Sequence, residues 1–229
     1  MIDLGFSVLG ARAEPYAAVP TLMLRLRITE GTGERIHTLA LRCQIQIEPR
    51  QRHYTAAEQE RLLELFGEPP RWGETLKTIL WTHVSAMVPG FEGSREIDLP
   101  VACTYDFELT AAKYFHALDE GEIPLLLLFS GTAFTRGSRG GTGFDTGFST
   151  GLGNGFSVEP VPWEKEAPFR LPVQVWRDLM DHYFPGSAWI RLRRESFDAL
   201  HRFKVRRALA TWDDAVETLL REAKRGEPS

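Results

Sequence analysis

Hydrophobic and polar residues alternate through most of the first two-thirds of the chain. Leu4, Phe6 and Val8 are separated by polar or small residues. Leu22, Leu24, Leu26 and Ile28 share one phase against Thr21, Arg25 and Arg27, with Met23 alone breaking the polar side. His37, Leu39, Leu41, Cys43, Ile45 and Ile47 alternate with Thr38, Ala40, Arg42, Gln44 and Gln46. A period of two sustained this long predicts strands with one wet face. Glu30-Gly31-Thr32-Gly33-Glu34 has turn chemistry, so the second and third strands are expected to pair as an antiparallel hairpin.

A helix is expected next, at about residues 55–66. Thr55 and Glu58 have capping-box spacing, Leu62, Leu63, Leu65 and Phe66 supply an apolar side, and Gly67 stands at a C′ position before Pro69-Pro70. Residues 75–87 read as a strand of ambiguous period. Ile97, Leu99, Val101, Cys103, Tyr105 and Phe107 alternate cleanly. A short helix at 110–118 leads into a strand at 125–134, and 156–163 is expected to pair with that strand. Between them, residues 136–155 are glycine-rich, with Phe144, Phe148 and Leu152 at intervals of four. The glycines oppose a helix, so a long loop with apolar tips is expected.

Beyond Trp163 the period lengthens. Val173, Trp176, Leu179, Met180 and Tyr183 form a helical stripe, and Phe197, Leu200, Phe203 and Lys204 suggest another. Thr211 and Asp214 cap a last helix whose apolar face is Trp212, Ala215, Val216, Leu219 and Leu220. Strands first and helices afterwards indicate an α+β protein. The expected architecture is a mainly antiparallel β-sandwich, immunoglobulin-like or related, followed by a C-terminal helical region. Residues 1–163 would be the sandwich with its inserted helix and loop, and residues 164–229 a helical cap packed on it.

Composition adds exclusions. With 27 Lys and Arg against 31 Asp and Glu, the 229-residue chain carries a formal net charge of −4 and lacks the overall basic footprint of a duplex binder. The longest apolar run, Ile123 to Phe129, is too short for a bilayer span of about 20 residues. The N-terminus has neither a basic region nor an apolar core of a signal peptide, so a cytoplasmic location is expected. Cys43 and Cys103 fall in apolar phase. They read as small buried hydrophobes in a reducing compartment, with a cross-sheet disulfide as the other reading.

Standard catalytic patterns are missing from the sequence. No two histidines stand four residues apart with a glutamate between, no Gly-x-Ser-x-Gly appears, and the glycine-rich segment lacks the lysine of a phosphate loop. No catalytic, cofactor or metal residue is therefore assigned. One segment is strongly basic: Arg191, Arg193, Arg194, Arg202, Lys204, Arg206 and Arg207 against Glu195 and Asp198, a local charge of +5. It reads as a solvated helix face with Phe197 and Phe203 turned inward, or as a contact for an acidic protein partner, nucleic acid or an anionic membrane.

The residues 124–134 (PLLLLFSGTAF), Val161-Pro162-Trp163, 171–176 (LPVQVW) and 211–220 (TWDDAVETLL) resemble an uncharacterised bacterial family of about this length. Genes of that family are sometimes found near nickel–iron hydrogenase genes. The resemblance implies an accessory role, in support of hydrogenase assembly or a related complex, and supplies no catalytic residues. The chain lacks the paired Cys-x-x-Cys motifs that hold nickel in hydrogenase large subunits, so it is not that subunit.

The sequence thus points to a non-catalytic interaction protein with a protein partner. Phe144, Phe148, Leu152, Arg193, Arg194, Arg202 and Arg206 are the candidate contacts. Two alternatives stand beside it. One is a small-molecule-binding module or enzyme with a pocket between sandwich and helices, near Tyr105, His83, His37, Trp176 or Trp189. The other is nucleic-acid binding through 191–207.

Overall fold

The computed structural model describes residues 2–103, 110–136, 156–187 and 190–226. In chain order the strands are β1 (Leu4–Glu14), β2 (Thr21–Glu30), β3 (Ile36–Ile47), β4 (Ile79–Phe91), β5 (Ser94–Ala102), β6 (Glu122–Arg136), β7 (Phe156–Pro160) and β8 (Glu166–Pro172). The helices are α1 (Ala56–Arg61), α2 (Leu63–Phe66), α3 (Trp72–Thr75), α4 (Thr110–Ala117), α5 (Val173–Tyr183), α6 (Arg194–Arg206) and α7 (Trp212–Gly226). The protein is a mixed α/β structure with antiparallel sheets, divided into two compact units, residues 1–188 and 189–229.

In the first unit β1, β2 and β5 form one sheet, in the order β1-β2-β5. The second sheet runs β4-β3-β6-β7, and β8 pairs with the other end of β6. The long β6 is needed for this: residues 132–136 hold β7, and residues 122–128 hold β8. The expected pairing of 156–163 with the preceding strand is present in β7, over residues 156–160.

The expected β2–β3 hairpin is not formed. β2 pairs with β1 and β5, and β3 pairs with β4 and β6, so the chain changes sheets between them. The physical reason lies at Glu30. Its buried carboxylate accepts the backbone N–H groups of Asp3, Thr32 and Glu34 and the Thr32 hydroxyl. These bonds turn the chain out of the β2 ladder. Burial alone would raise the Glu30 pKa, but the Thr32 and backbone donors outweigh it and hold the carboxyl below its ordinary value.

The alternation became burial. Leu22, Leu24, Leu26 and Ile28 from one sheet, and Leu39, Leu41, Cys43, Ile45 and Ile47 from the other, are buried in one hydrophobic core. Phe6 of β1 stacks on Phe129 of β6 at 4.2 Å between centroids, joining the two sheets. Each fully buried leucine or isoleucine contributes about 1.5–3 kcal/mol by leaving water. Both cysteines are buried free thiols, each pushed up to about 12 by burial.

Between β3 and β4 the chain covers the core with short helices. The Thr55 hydroxyl accepts the Glu58 N–H, and the Glu58 carboxylate accepts the Thr55 N–H, as the capping-box spacing predicts. Gly67 ends α2 at φ +70°, a conformation that favours glycine. α5 packs on β1, β2 and β8, and its Tyr183 hydroxyl donates to the carbonyls of Glu14 and Ala17.

The second unit is a pair of helices. α6 ends at Arg207 with the Leu209 N–H on the Lys204 carbonyl and the Ala208 N–H on that of Val205, a Schellman arrangement. Ala208 occupies its C′ position at φ +50°. Thr211 and Asp214 then open α7 with reciprocal side-chain-to-backbone bonds.

Candidate functional site

Three places concentrate polar chemistry or exposed apolar surface. The first is internal. Arg52 and Glu58 form an ion pair at 2.6 Å with side chains only 9% and 1% exposed. The Arg52 guanidinium also donates to the carbonyls of Glu120 and Glu122, just past α4. Arg61 donates to the Ala117 carbonyl, and Arg177 to that of Leu118. Arg61 and Arg177 therefore serve carbonyls at the end of α4, where positive charge also suits the helix dipole, and Arg52 ties down the link from α4 to β6. Glu58 closes the knot by accepting the Asp119 N–H. Burial opposes its ionisation, but the Thr55 and Asp119 N–H groups and Arg52 prevail and lower its pKa. Beside it the hydroxyls of Tyr54 and Tyr114 meet at 2.7 Å, and burial drives both phenols upward, Tyr114 to about 12. These groups engage one another as a clamp, with the Arg52 Nε left as a buried donor that has no hydrogen-bond partner among the described residues.

The second place is the outer face of the β4-β3-β6 sheet. Register sets Arg42 directly opposite Ser85 on one side and Ser130 on the other. The adjacent row is Met87, Ala40 and Thr132. Together these residues line a concavity of about 570 Å³. Its floor depends on Gly131, at φ +148°, where an added Cβ would lie 2.1 Å from the Ala40 carbonyl oxygen. Arg42 is exposed, and no carboxylate among the described residues pairs with it. A smaller cavity of about 320 Å³, between the sheet and α4 and α5, is lined by Trp81, Cys103, Phe115 and Trp176. Phe115 meets Trp81 at 4.8 Å and Trp176 at 5.6 Å, both edge-to-face.

The third place is the helix pair. On α6, Phe197, His201 and Val205 make one i, i+4 row, and Arg194, Asp198, Arg202 and Arg206 make the neighbouring row. On α7, Trp212, Val216 and Leu220 form a further row. The Trp212 ring lies 5.2 Å from Phe197 and 6.0 Å from His201. Ala215 is fully buried, but Trp212 is 41%, Val216 39%, Leu219 39% and Leu220 58% exposed. Arg207 pairs with Glu222 at 2.7 Å. No carboxylate among the described residues pairs with Arg193, Arg194, Arg202 or Arg206.

Of the residues singled out from sequence, those four arginines are thus on or beside α6, exposed. Phe144, Phe148, Leu152, Tyr105 and Trp189 lie outside the described residues. Trp176 is buried against Phe115. His83 is exposed on β4 and hydrogen-bonds Gln44 of β3. His37 is seven residues from Gln44 along β3, about 23 Å at strand rise, so the two histidines do not meet. Among the described residues no group of three or more His, Cys, Asp or Glu could hold a metal ion, and no helix is long and apolar enough to cross a membrane. Sequence reasoning missed the Arg52–Glu58 knot and the Arg42 concavity. The Thr55–Glu58 spacing hinted at the former; nothing local marked Arg42 apart from other wet-face residues.

The described surfaces define a two-sheet protein with a separate helix pair that presents apolar and cationic rows. Residues 1–228 match a family of unknown function, DUF6084, and the chain belongs to that family. No curated protein and no solved structure matches it.

Proposed function

We propose that this is a non-catalytic interaction protein whose helix pair docks an acidic, amphipathic segment of a partner protein. The carrying observation is the exposed row Trp212, Val216 and Leu220 beside α6, whose Arg194, Arg202 and Arg206 lack carboxylate partners among the described residues. Exposed apolar rows of this kind usually serve contact, and unpaired arginines favour a partner bearing carboxylates. Phe144, Phe148 and Leu152 are proposed to add a second contact. The order β1-β2-β5 and β4-β3-β6-β7 supports an immunoglobulin-like sandwich as the scaffold, although fold alone assigns no function. Hydrogenase-related components, implied by the sequence resemblance alone, are the first partners to try.

The test compares the full chain with V216E/L220E and with R194E/R202E/R206E as baits in the native host. A stoichiometric partner held by the wild type and lost by both variants, with unchanged melting temperatures, is expected. Retention of every partner by both variants would overturn the proposal. So would a large fall in melting temperature of V216E/L220E, which would make the row internal packing.

A second reading has its own observation. The cavity lined by Trp81, Phe115 and Trp176 favours a small apolar or aromatic ligand in the first unit. Saturable quenching of tryptophan fluorescence by such a ligand, lost in F115A, would support it.

A further inference from the structure

We infer that the concavity on the outer face of the β4-β3-β6 sheet binds a small organic carboxylate, with Arg42 as its counter-ion. The argument begins with placement. Three adjacent strands deliver Ser85, Arg42 and Ser130 in one row, and directly opposed residues in a sheet hold their Cβ atoms about 5 Å apart. A guanidinium between two hydroxyls offers donors to both oxygens of a carboxylate, in the geometry that planar group favours.

Charge accounting separates this arginine from its counterparts. On the outer face of the other sheet, Arg12, Arg25 and Arg27 are all engaged by Glu14, Glu96 and Asp98. Arg42 has no such partner among the described residues, and it lies in the larger of the cavities described above. A volume of about 570 Å³ is within the usual range for small-molecule sites. The lining holds one cation and no second, which matches a monoanionic carboxylate better than a phosphate dianion. The next row gives the ligand body an apolar seat. Ala40 is small enough to keep the depression open, and Met87, 67% exposed, can lay its thioether on an aromatic ring or alkyl chain.

The carboxylate could be a free acid or the C-terminus of a peptide, and the probes separate these. The ¹⁵N-labelled full chain is titrated with benzoate, benzamide, N-acetyl-Ala-Phe and inorganic phosphate, for the wild type, R42Q and S85A/S130A. Saturable shifts at residues 42, 85 and 130 with benzoate or the peptide acid, and none with benzamide, are expected. Whichever acid binds tighter names the source. R42Q should weaken that binding about tenfold or more, the value of losing one charge-assisted pair. Because Arg42 is exposed, R42Q should melt with the wild type. Equal binding of benzamide, phosphate binding as tight as the acids, undiminished binding by R42Q, or no saturable shift with either acid would each overturn the inference.

Discussion

The two units treat their apolar residues in opposite ways. In the first, the alternating rows of β2 and β3 are buried completely: Leu22, Leu24, Leu26, Ile28, Leu39 and Ile45 have no exposed surface. In the second, the equally regular helical row of α7 leaves Leu220 more than half exposed and buries only Ala215 fully. Polar groups follow suit. Arg52 of the first unit is enclosed by a carboxylate and two carbonyls, whereas Arg202 and Arg206 form no ion pair among the described residues. Hydrophobic periodicity therefore states which face is apolar and not what covers it. Two helices alone enclose too little volume to hide such a face, which is the surface the proposed docking would cover.

The largest way to sharpen this contrast is to break the buried clamp. Arg52→Ala leaves Glu58 charged and enclosed, and removing one partner of a buried pair costs about 3–5 kcal/mol. A steep drop in the first thermal transition, measured by calorimetry, is expected, while the helicity of α6 and α7 persists. Gly131→Ala should cost about 3 kcal/mol, because the left-handed φ and the Ala40 carbonyl both oppose a side chain. Denaturant unfolding would register it.

Acid should act on the first unit in the same sense. Glu30 and Glu58 are held below their ordinary value of 4.5 in the folded protein. Their stabilisation is complete above that unfolded value and is lost as pH falls below it, through the lowered folded values. Melting temperature should therefore decline below about pH 4.5, and less steeply in Glu58→Gln after allowing for its lower starting point.

The contrast predicts the reverse for the helix pair. Val216→Glu and Leu220→Glu alter exposed positions and should shift stability by no more than about 0.5 kcal/mol, by thermal melting. The smallest effect is expected at Ala208, which pays for a left-handed conformation that glycine adopts freely. Ala208→Gly should raise the helicity of the pair and stabilise it by up to about 1 kcal/mol.

Much of the fold was legible from residue pattern. The strand phases, the Thr55–Glu58 box and the Thr211–Asp214 cap all follow from local spacing, and each is present. Apart from the pairing of β7 with β6, the partners of the strands were not legible. A five-residue turn after Glu30 reads the same whether the chain folds back in one sheet or steps to another. What decides it is the Glu30 carboxylate together with Asp3, 27 residues away. The clamp was hidden for the same reason, since Arg52 finds its carbonyls 68 and 70 residues further on. Of the candidate contacts, the arginines were visible as charge, but only the structure shows that they form no ion pair among the described residues.

The most direct test places a photo-crosslinking residue at position 220 of the full chain, with a control at position 80 of β4, also an exposed leucine. After irradiation in the native host, the adducts are sequenced. The account predicts that position 220 captures one protein, through a peptide rich in Asp and Glu, and that position 80 does not. No adduct at 220, the same adducts at both positions, or capture only of lipid or nucleic acid would contradict it.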